Sequence, residues 1–162
     1  MRADDDLYAL AEQLGRVAMA RGAMIATAES CTGGLVAAAI TAVAGSSDWF
    51  DRGFVTYSNQ AKIDELGVAP QTVARFGAVS VETAEEMAKG ASQASRAQWA
   101  IAVTGVAGPS GGTPEKPVGT VCFAWVGPEG FGSEARHLQG DRAGIRREAV
   151  RVALSGLIDR MA

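Results

Sequence analysis

Residues 23–28, Ala-Met-Ile-Ala-Thr-Ala, form a short apolar run that breaks at once into Glu29-Ser30-Cys31-Thr32-Gly33-Gly34 and resumes as an alanine-rich segment over 35–43. Such a run is long enough for a buried strand, the polar hexapeptide supplies a turn, and the segment beyond it suits a helix. A strand, polar turn and helix in immediate succession commit this part of the chain to an α/β architecture. A second buried strand, 98–103, leads into Thr104-Gly105-Val106-Ala107-Gly108-Pro109-Ser110-Gly111-Gly112 and from there toward Pro114, Pro117 and another strand, not into a helix.

The other segments fit around these two. Leu7, Leu10, Leu14 and Val17 recur at spacings of three and four, so 4–21 reads as an amphipathic helix ended by Gly22. Residues 50–57 read as a strand, 59–66 as a short helix capped by Asn59, 70–76 as a helical segment, and 80–95 as a longer helix introduced by Ser80. Gly127-Pro128-Glu129-Gly130 separates strands at 118–126 and 131–138, and a last helix covers 141–161. The expectation is one α/β domain over residues 1–162, a three-layer mixed sheet with helices on both faces, closed by a C-terminal β-hairpin and helix. Twenty glycines and 31 alanines occupy 51 of the 162 positions while aromatics make up 6%, so backbone must approach backbone, or a ligand, closely.

Composition removes several classes of function. With 48% apolar residues and a net charge of −3 the chain is not disordered, and 15 basic against 18 acidic residues oppose a nucleic-acid face. The longest uncharged stretches, 30–47 and 97–114, are broken by Gly, Ser and Thr and read as buried strand and helix, not as membrane spans. Asp4, Asp5 and Asp6 replace the basic-then-apolar pattern of a secretory signal, and Cys31 and Cys122 offer no disulfide framework, so a cytoplasmic setting is expected. Edge strands on a small Ala-rich domain suggest a homo-oligomer.

The inventory of chemical side chains is short. One histidine, His137, lies on a strand, no Gly-x-Ser-x-Gly elbow occurs, and a zinc site cannot be assembled from any recognisable spacing. The glycine series 105–112 matches neither a dinucleotide fingerprint nor a P-loop. It serves either as a surface turn or as a nest whose N–H groups face a ligand. Ser30 stands where open α/β sheets bind ligands and where helix N–H groups could hold an oxyanion; equally, Ser30 or Thr32 could simply cap the helix. Cys31 is the competing nucleophile or a small buried side chain. A serine without histidine needs another base, and Lys62, in the first turn of its helix, is disfavoured as a cation by the macrodipole, which lowers its pKa as a base requires. Lys62 and Tyr57 could also be plain surface residues. Arg142 and Arg146, four apart at the start of the last helix, suit a phosphate or pair with acids such as Glu148.

Thr27-Ala28-Glu29-Ser30-Cys31-Thr32-Gly33-Gly34, the 53–62 segment with Tyr57-Ser58-Asn59, the Thr104 to Gly112 loop, Lys116-Pro117-Val118-Gly119-Thr120-Val121 and Gly140-Asp141-Arg142 together resemble the C-terminal domain of the CinA (competence/damage-inducible) family. The motifs keep the family's order and span essentially the whole chain. Members of that family include amidohydrolases that convert nicotinamide mononucleotide to nicotinic acid mononucleotide and ammonia. The resemblance implies Ser30 as nucleophile with Tyr57 and Lys62 as partners, Lys62 assisted by Tyr57 taking the proton and N–H groups near Gly33 and Gly34 meeting the oxyanion. It further implies that Thr32, Gly33, Gly34, Thr104, Gly105, Gly108, Gly111, Gly112, Arg142 and Arg146 bind the substrate, with no metal or organic cofactor. Two departures stand out: many members carry a larger N-terminal domain, which points here to a stand-alone deamidase, and His137-Leu138-Gln139 replaces an expected aromatic. A catalytically silent nucleotide-binding module is the alternative, and a DNA-binding role in competence is opposed by the acidic charge balance.

Overall fold

The three central strands of the sheet carry their larger apolar side chains on one face and their smaller ones on the other, and this asymmetry organises the molecule. The structure, a computed structural model that describes residues 4–162, orders its elements as α1 (Asp5–Arg21), β1 (Ile25–Glu29), α2 (Leu35–Thr41), a 3-10 turn at Ser46–Asp48, β2 (Phe50–Val55), α3 (Asn59–Leu66), α4 (Pro70–Phe76), α5 (Val81–Gln93), β3 (Trp99–Gly105), β4 (Thr120–Gly127), β5 (Gly130–His137) and α6 (Arg142–Met161). The five strands form one sheet in the order β2-β1-β3-β4-β5. β1 runs parallel to both β2 and β3, whereas β3, β4 and β5 are successively antiparallel. This is the mixed sheet with helices on both faces that the alternation of elements predicts, and the β4–β5 hairpin turns at Pro128-Glu129 as expected.

On one face Ile25, Trp99, Ile101, Val103, Val121, Phe123 and Trp125 pack against α1, α2 and α6. On the other, Ala26, Ala28, Ala100, Ala102 and Ala124 meet Ala84, Ala88 and Ala91 of α5. The alanines therefore mark a layer where helix and sheet approach closely, which is the packing reason for much of the small-residue content. Trp125 closes the thicker layer by donating its indole N–H to Ala153 O at 2.9 Å.

Gly90 shows how tight the thin layer is. A Cβ built there would lie 1.9 Å from the carbonyl oxygen of Leu66 at the end of α3, a backbone atom held in place by its own helix. Gly90→Ala should therefore lower stability by at least about 2 kcal/mol through overpacking. Chemical denaturation checks this, and a midpoint equal to that of the parent would contradict the packing described.

Small boundary differences have local causes. β2 stops at Val55 and not at 57: the Thr56 N–H still meets β1, but the carbonyls of Thr56 and Tyr57 turn to the Lys62 amine of α3. α3 is capped by Ser58, whose hydroxyl accepts the Ala61 N–H at 3.0 Å, and not by Asn59. Among the described residues no helix is long and apolar enough to cross a membrane.

Candidate active site

The chain leaves β1 toward β2 on one side and later returns to β3 on the other, so the crevice beyond the carboxyl ends of β1 and β3 is the topological switch point of the sheet. Ser30 is the first residue past β1. Its N–H donates to Val103 O at 2.9 Å, extending the ladder to β3, and the Thr56 N–H donates to Glu29 O at 2.9 Å, fixing the end of β2. Side chains on a helix lean toward its N-terminus. Lys62, one turn into α3, accordingly runs back past the cap and delivers its amine to the end of β1.

That amine is 2.9 Å from Ser30 Oγ, 2.7 Å from Thr56 O, 3.3 Å from Tyr57 O and 3.4 Å from Ser58 O. The side chain is 1% exposed and faces no carboxylate within this set, and burial pulls its pKa down from 10.5 to about 8. Desolvation, and not the helix macrodipole expected from the sequence, is the leading cause. A neutral amine has two donors and one lone pair. The donors suit backbone carbonyls such as Thr56 O, and the lone pair suits the Ser30 hydroxyl proton. Cys31, beside it and buried, is the opposite case: burial pushes its thiol up to about 11, which keeps it protonated and unsuited to nucleophilic attack at neutral pH.

A cleft of about 380 Å³ opens above this pair and is lined by Ser30, Cys31, Tyr57, Asn59, Lys62, Thr104, Arg142 and the 105–112 glycine loop among others. Nine of the expected site residues converge on it: Ser30, Tyr57, Lys62, Thr104, Gly105, Gly108, Gly111, Gly112 and Arg142. Gly108, Gly111 and Gly112 have φ of 76°, 87° and 83°, so the loop needs glycine there. Its two ends are tied down, Thr104 Oγ1 donating to Ala78 O at 2.9 Å and Lys116 Nζ to Phe76 O at 2.5 Å.

Four expected residues are placed elsewhere. Thr32 is fully buried and donates its hydroxyl to Glu29 Oε1 at 2.6 Å. Gly33 donates its N–H to Ser30 O, closing a turn, and Gly33 and Gly34 adopt φ of 59° and 106°. The Glu29 carboxylate occupies the start of α2, accepting from Val36 N at 2.8 Å and Ala37 N at 3.0 Å, so those helix N–H groups do not serve an oxyanion as the sequence suggested. Arg146 donates to Cys31 O at 3.0 Å and Thr32 O at 3.3 Å, from below the loop and outside the cleft lining. Tyr57 touches Lys62 only through its carbonyl. The residue is 63% exposed at the rim, and its phenol accepts from Arg142 Nη2 at 3.3 Å.

Sequence reasoning missed two participants. Asn59 lines the cleft because Ser58 took the cap; two adjacent cap-forming residues left that choice open. Glu29 had no assigned role, although a carboxylate before an apolar segment is the sign of an acidic helix start. His137 sits at the end of β5, its Nε2 3.0 Å from Val118 O and its Nδ1 3.2 Å from Gln139 Nε2, outside the cleft lining. Among the described residues no group of three His, Cys, Asp or Glu side chains could hold a metal ion.

Known proteins resemble this chain over nearly its whole length. Residues 7–161 match the family described as the CinA C-terminal domain. The chain is 53% identical over 155 residues to the nicotinamide-nucleotide amidohydrolase PncC of Escherichia coli K12, covering 95% of this chain and 94% of that protein. It is 51% identical over 154 residues to PncC of Pseudomonas putida, covering 95% and 96%. The crystal structure of the competence/damage inducible protein CihA from Agrobacterium tumefaciens superposes with a TM-score of 0.92 at 50% identity, covering 95% of this chain and 94% of that one.

Proposed function

Since this chain belongs to the CinA C-terminal domain family, we propose that it is an enzyme that hydrolyses the carboxamide of nicotinamide mononucleotide to nicotinic acid mononucleotide and ammonia, with Ser30 as nucleophile and Lys62 as general base. Relatives about half identical along nearly their whole length are named for this activity. The observation that carries the mechanism is the buried Lys62 amine 2.9 Å from Ser30 Oγ, with a pKa brought down to about 8.

The chemistry follows from that contact. Neutral Lys62 accepts the hydroxyl proton as Ser30 Oγ attacks the amide carbon, and the resulting ammonium is held by the carbonyls of Thr56 and Tyr57. As the tetrahedral intermediate collapses, Lys62 returns the proton to the departing nitrogen, ammonia leaves, and the nicotinoyl group remains as an ester on Ser30. Water then attacks the ester with Lys62 again accepting a proton, and Ser30 recovers its own on release of the acid. One amide bond and one water are consumed, and one carboxylic acid and one ammonia are formed.

The rest of the cleft suits a nucleotide. Arg142 spends one N–H on Gly108 O at 2.8 Å and another on Tyr57 Oη, leaving further donors of its planar fork for a phosphate. Incubation with nicotinamide mononucleotide should release ammonia and nicotinic acid mononucleotide in equal amounts without added metal. Tight binding with no release would replace this reading by a silent nucleotide-binding module.

A further inference from the structure

We propose that Glu29 and Arg146 are a pair of positioning residues that brace the turn after Ser30 and so hold its hydroxyl against Lys62. The proposal rests on the Ser30–Lys62 reading above and extends it to two residues that do not line the cleft.

Glu29 is 1% exposed, and a buried carboxylate is tolerated only where donors surround it. Here Thr32 Oγ1 and Val36 N donate to one oxygen and Ala37 N to the other, so the side chain welds the elbow to the first turn of α2. The main chain of the same residue works in the other direction. Glu29 O accepts from Thr56 N, and Thr56 O is the shortest contact of the Lys62 amine. One residue thus fixes both the segment that bears the nucleophile and the strand end that cradles the base.

Arg146 supplies a second hold. Its guanidinium donates to the successive carbonyls of Cys31 and Thr32, and a Cβ on Gly33 would come within 3.3 Å of its Nη2, so the loop rests directly on it. With Ser30 N bound to Val103 O and Ser30 O accepting from Gly33 N, the polar backbone of the nucleophile is occupied, and its hydroxyl is left for chemistry. A shift of about 1 Å in such a contact costs on the order of a hundredfold in rate.

Neither residue has an equivalent substitute. Glutamine at 29 would turn an NH₂ toward an N–H or O–H donor, and lysine at 146 has no planar fork to span two carbonyls. The titratable or charged groups that line the cleft with Lys62 are Cys31 from the elbow, Tyr57 from the end of β2 and Arg142 from α6. Loosening the elbow admits water to the amine, which relieves its desolvation and moves its titration upward.

The test compares the parent with Glu29→Gln and Arg146→Lys by two measurements. The first is kcat and KM for nicotinamide mononucleotide; the second is the pH dependence of Lys62 acetylation by acetic anhydride, read by peptide mass spectrometry without substrate. The expected result is a fall in kcat of at least about tenfold with KM within about threefold, together with an upward move of the Lys62 midpoint from near 8. Unchanged kcat in both variants overturns the proposal. So does a lowered kcat or melting temperature with an unmoved Lys62 midpoint, the signature of a purely structural role. Should Glu29→Gln fail to fold, Arg146→Lys decides alone by the same criteria. If the parent does not turn over nicotinamide mononucleotide, the substrate reading fails by itself, and the acetylation midpoints still decide the brace.

Discussion

Ser30→Ala should abolish ammonia release from nicotinamide mononucleotide, a loss of more than about a thousandfold, while leaving the fold intact. The substitution removes one oxygen. The backbone bonds that place residue 30, its N–H to Val103 O and its carbonyl accepting from Gly33 N, do not involve the side chain. Lys62 keeps the carbonyls of Thr56 and Tyr57 as partners, so the variant should bind substrate and accumulate the complex without cleavage. Cys31→Ala is the matched control. Its thiol is pushed up to about 11 by burial and should contribute packing only, with a rate within a few-fold of the parent. A steady-state ammonia assay on both variants reads the outcome. Activity retained in Ser30→Ala and lost in Cys31→Ala would transfer the nucleophile to the cysteine.

Lys62→Met should lower kcat by about 10²–10⁴-fold with KM largely retained, because it removes the proton acceptor and keeps an unbranched chain of similar length. Lys62→Arg should not restore the rate, since a guanidinium stays protonated at any pH the protein tolerates. The pH dependence of the parent follows from the same group, and its sign is set by which form works. In the proposed reaction the neutral amine is the base, so protonation as pH falls removes it. The rate should rise about tenfold per pH unit on the acid side and level off above the Lys62 midpoint near 8. At pH 7 about one amine in ten is neutral. A pH-independent rate between 6 and 9, or a Lys62→Met variant as fast as the parent, would remove the lysine from the mechanism.

Most of the architecture was legible because hydrophobic period and turn chemistry agree along this chain. The Ala23 to Ala28 run, the Gly-Pro-Glu-Gly turn and the Ser80 cap each became the element that local rules predict. The site was legible in part. Ser30 and the glycine loop follow strands, and ligands gather at strand ends in open α/β sheets, so their importance could be argued from order alone. Lys62 could not be separated from a surface lysine by spacing, since its lowered pKa comes from burial, with three carbonyls around its amine. The two arginines of α6 look equivalent in sequence, four residues apart at one helix end. Yet Arg142 reaches the cleft while Arg146 passes beneath the elbow.

The sequence by itself therefore determined which segments become strands and helices, the abundance of small residues, and the set of side chains from which a site could be made, because these depend on composition and on neighbours close along the chain. Only the tertiary structure decided which of those side chains come together. It brought Lys62 to within 2.9 Å of Ser30 and buried it, took the α2 N–H groups for Glu29, and turned the Tyr57 phenol away to Arg142. Distance and desolvation between residues 32 positions apart have no local signature, and they are what set the lysine amine against a serine hydroxyl and lower its pKa.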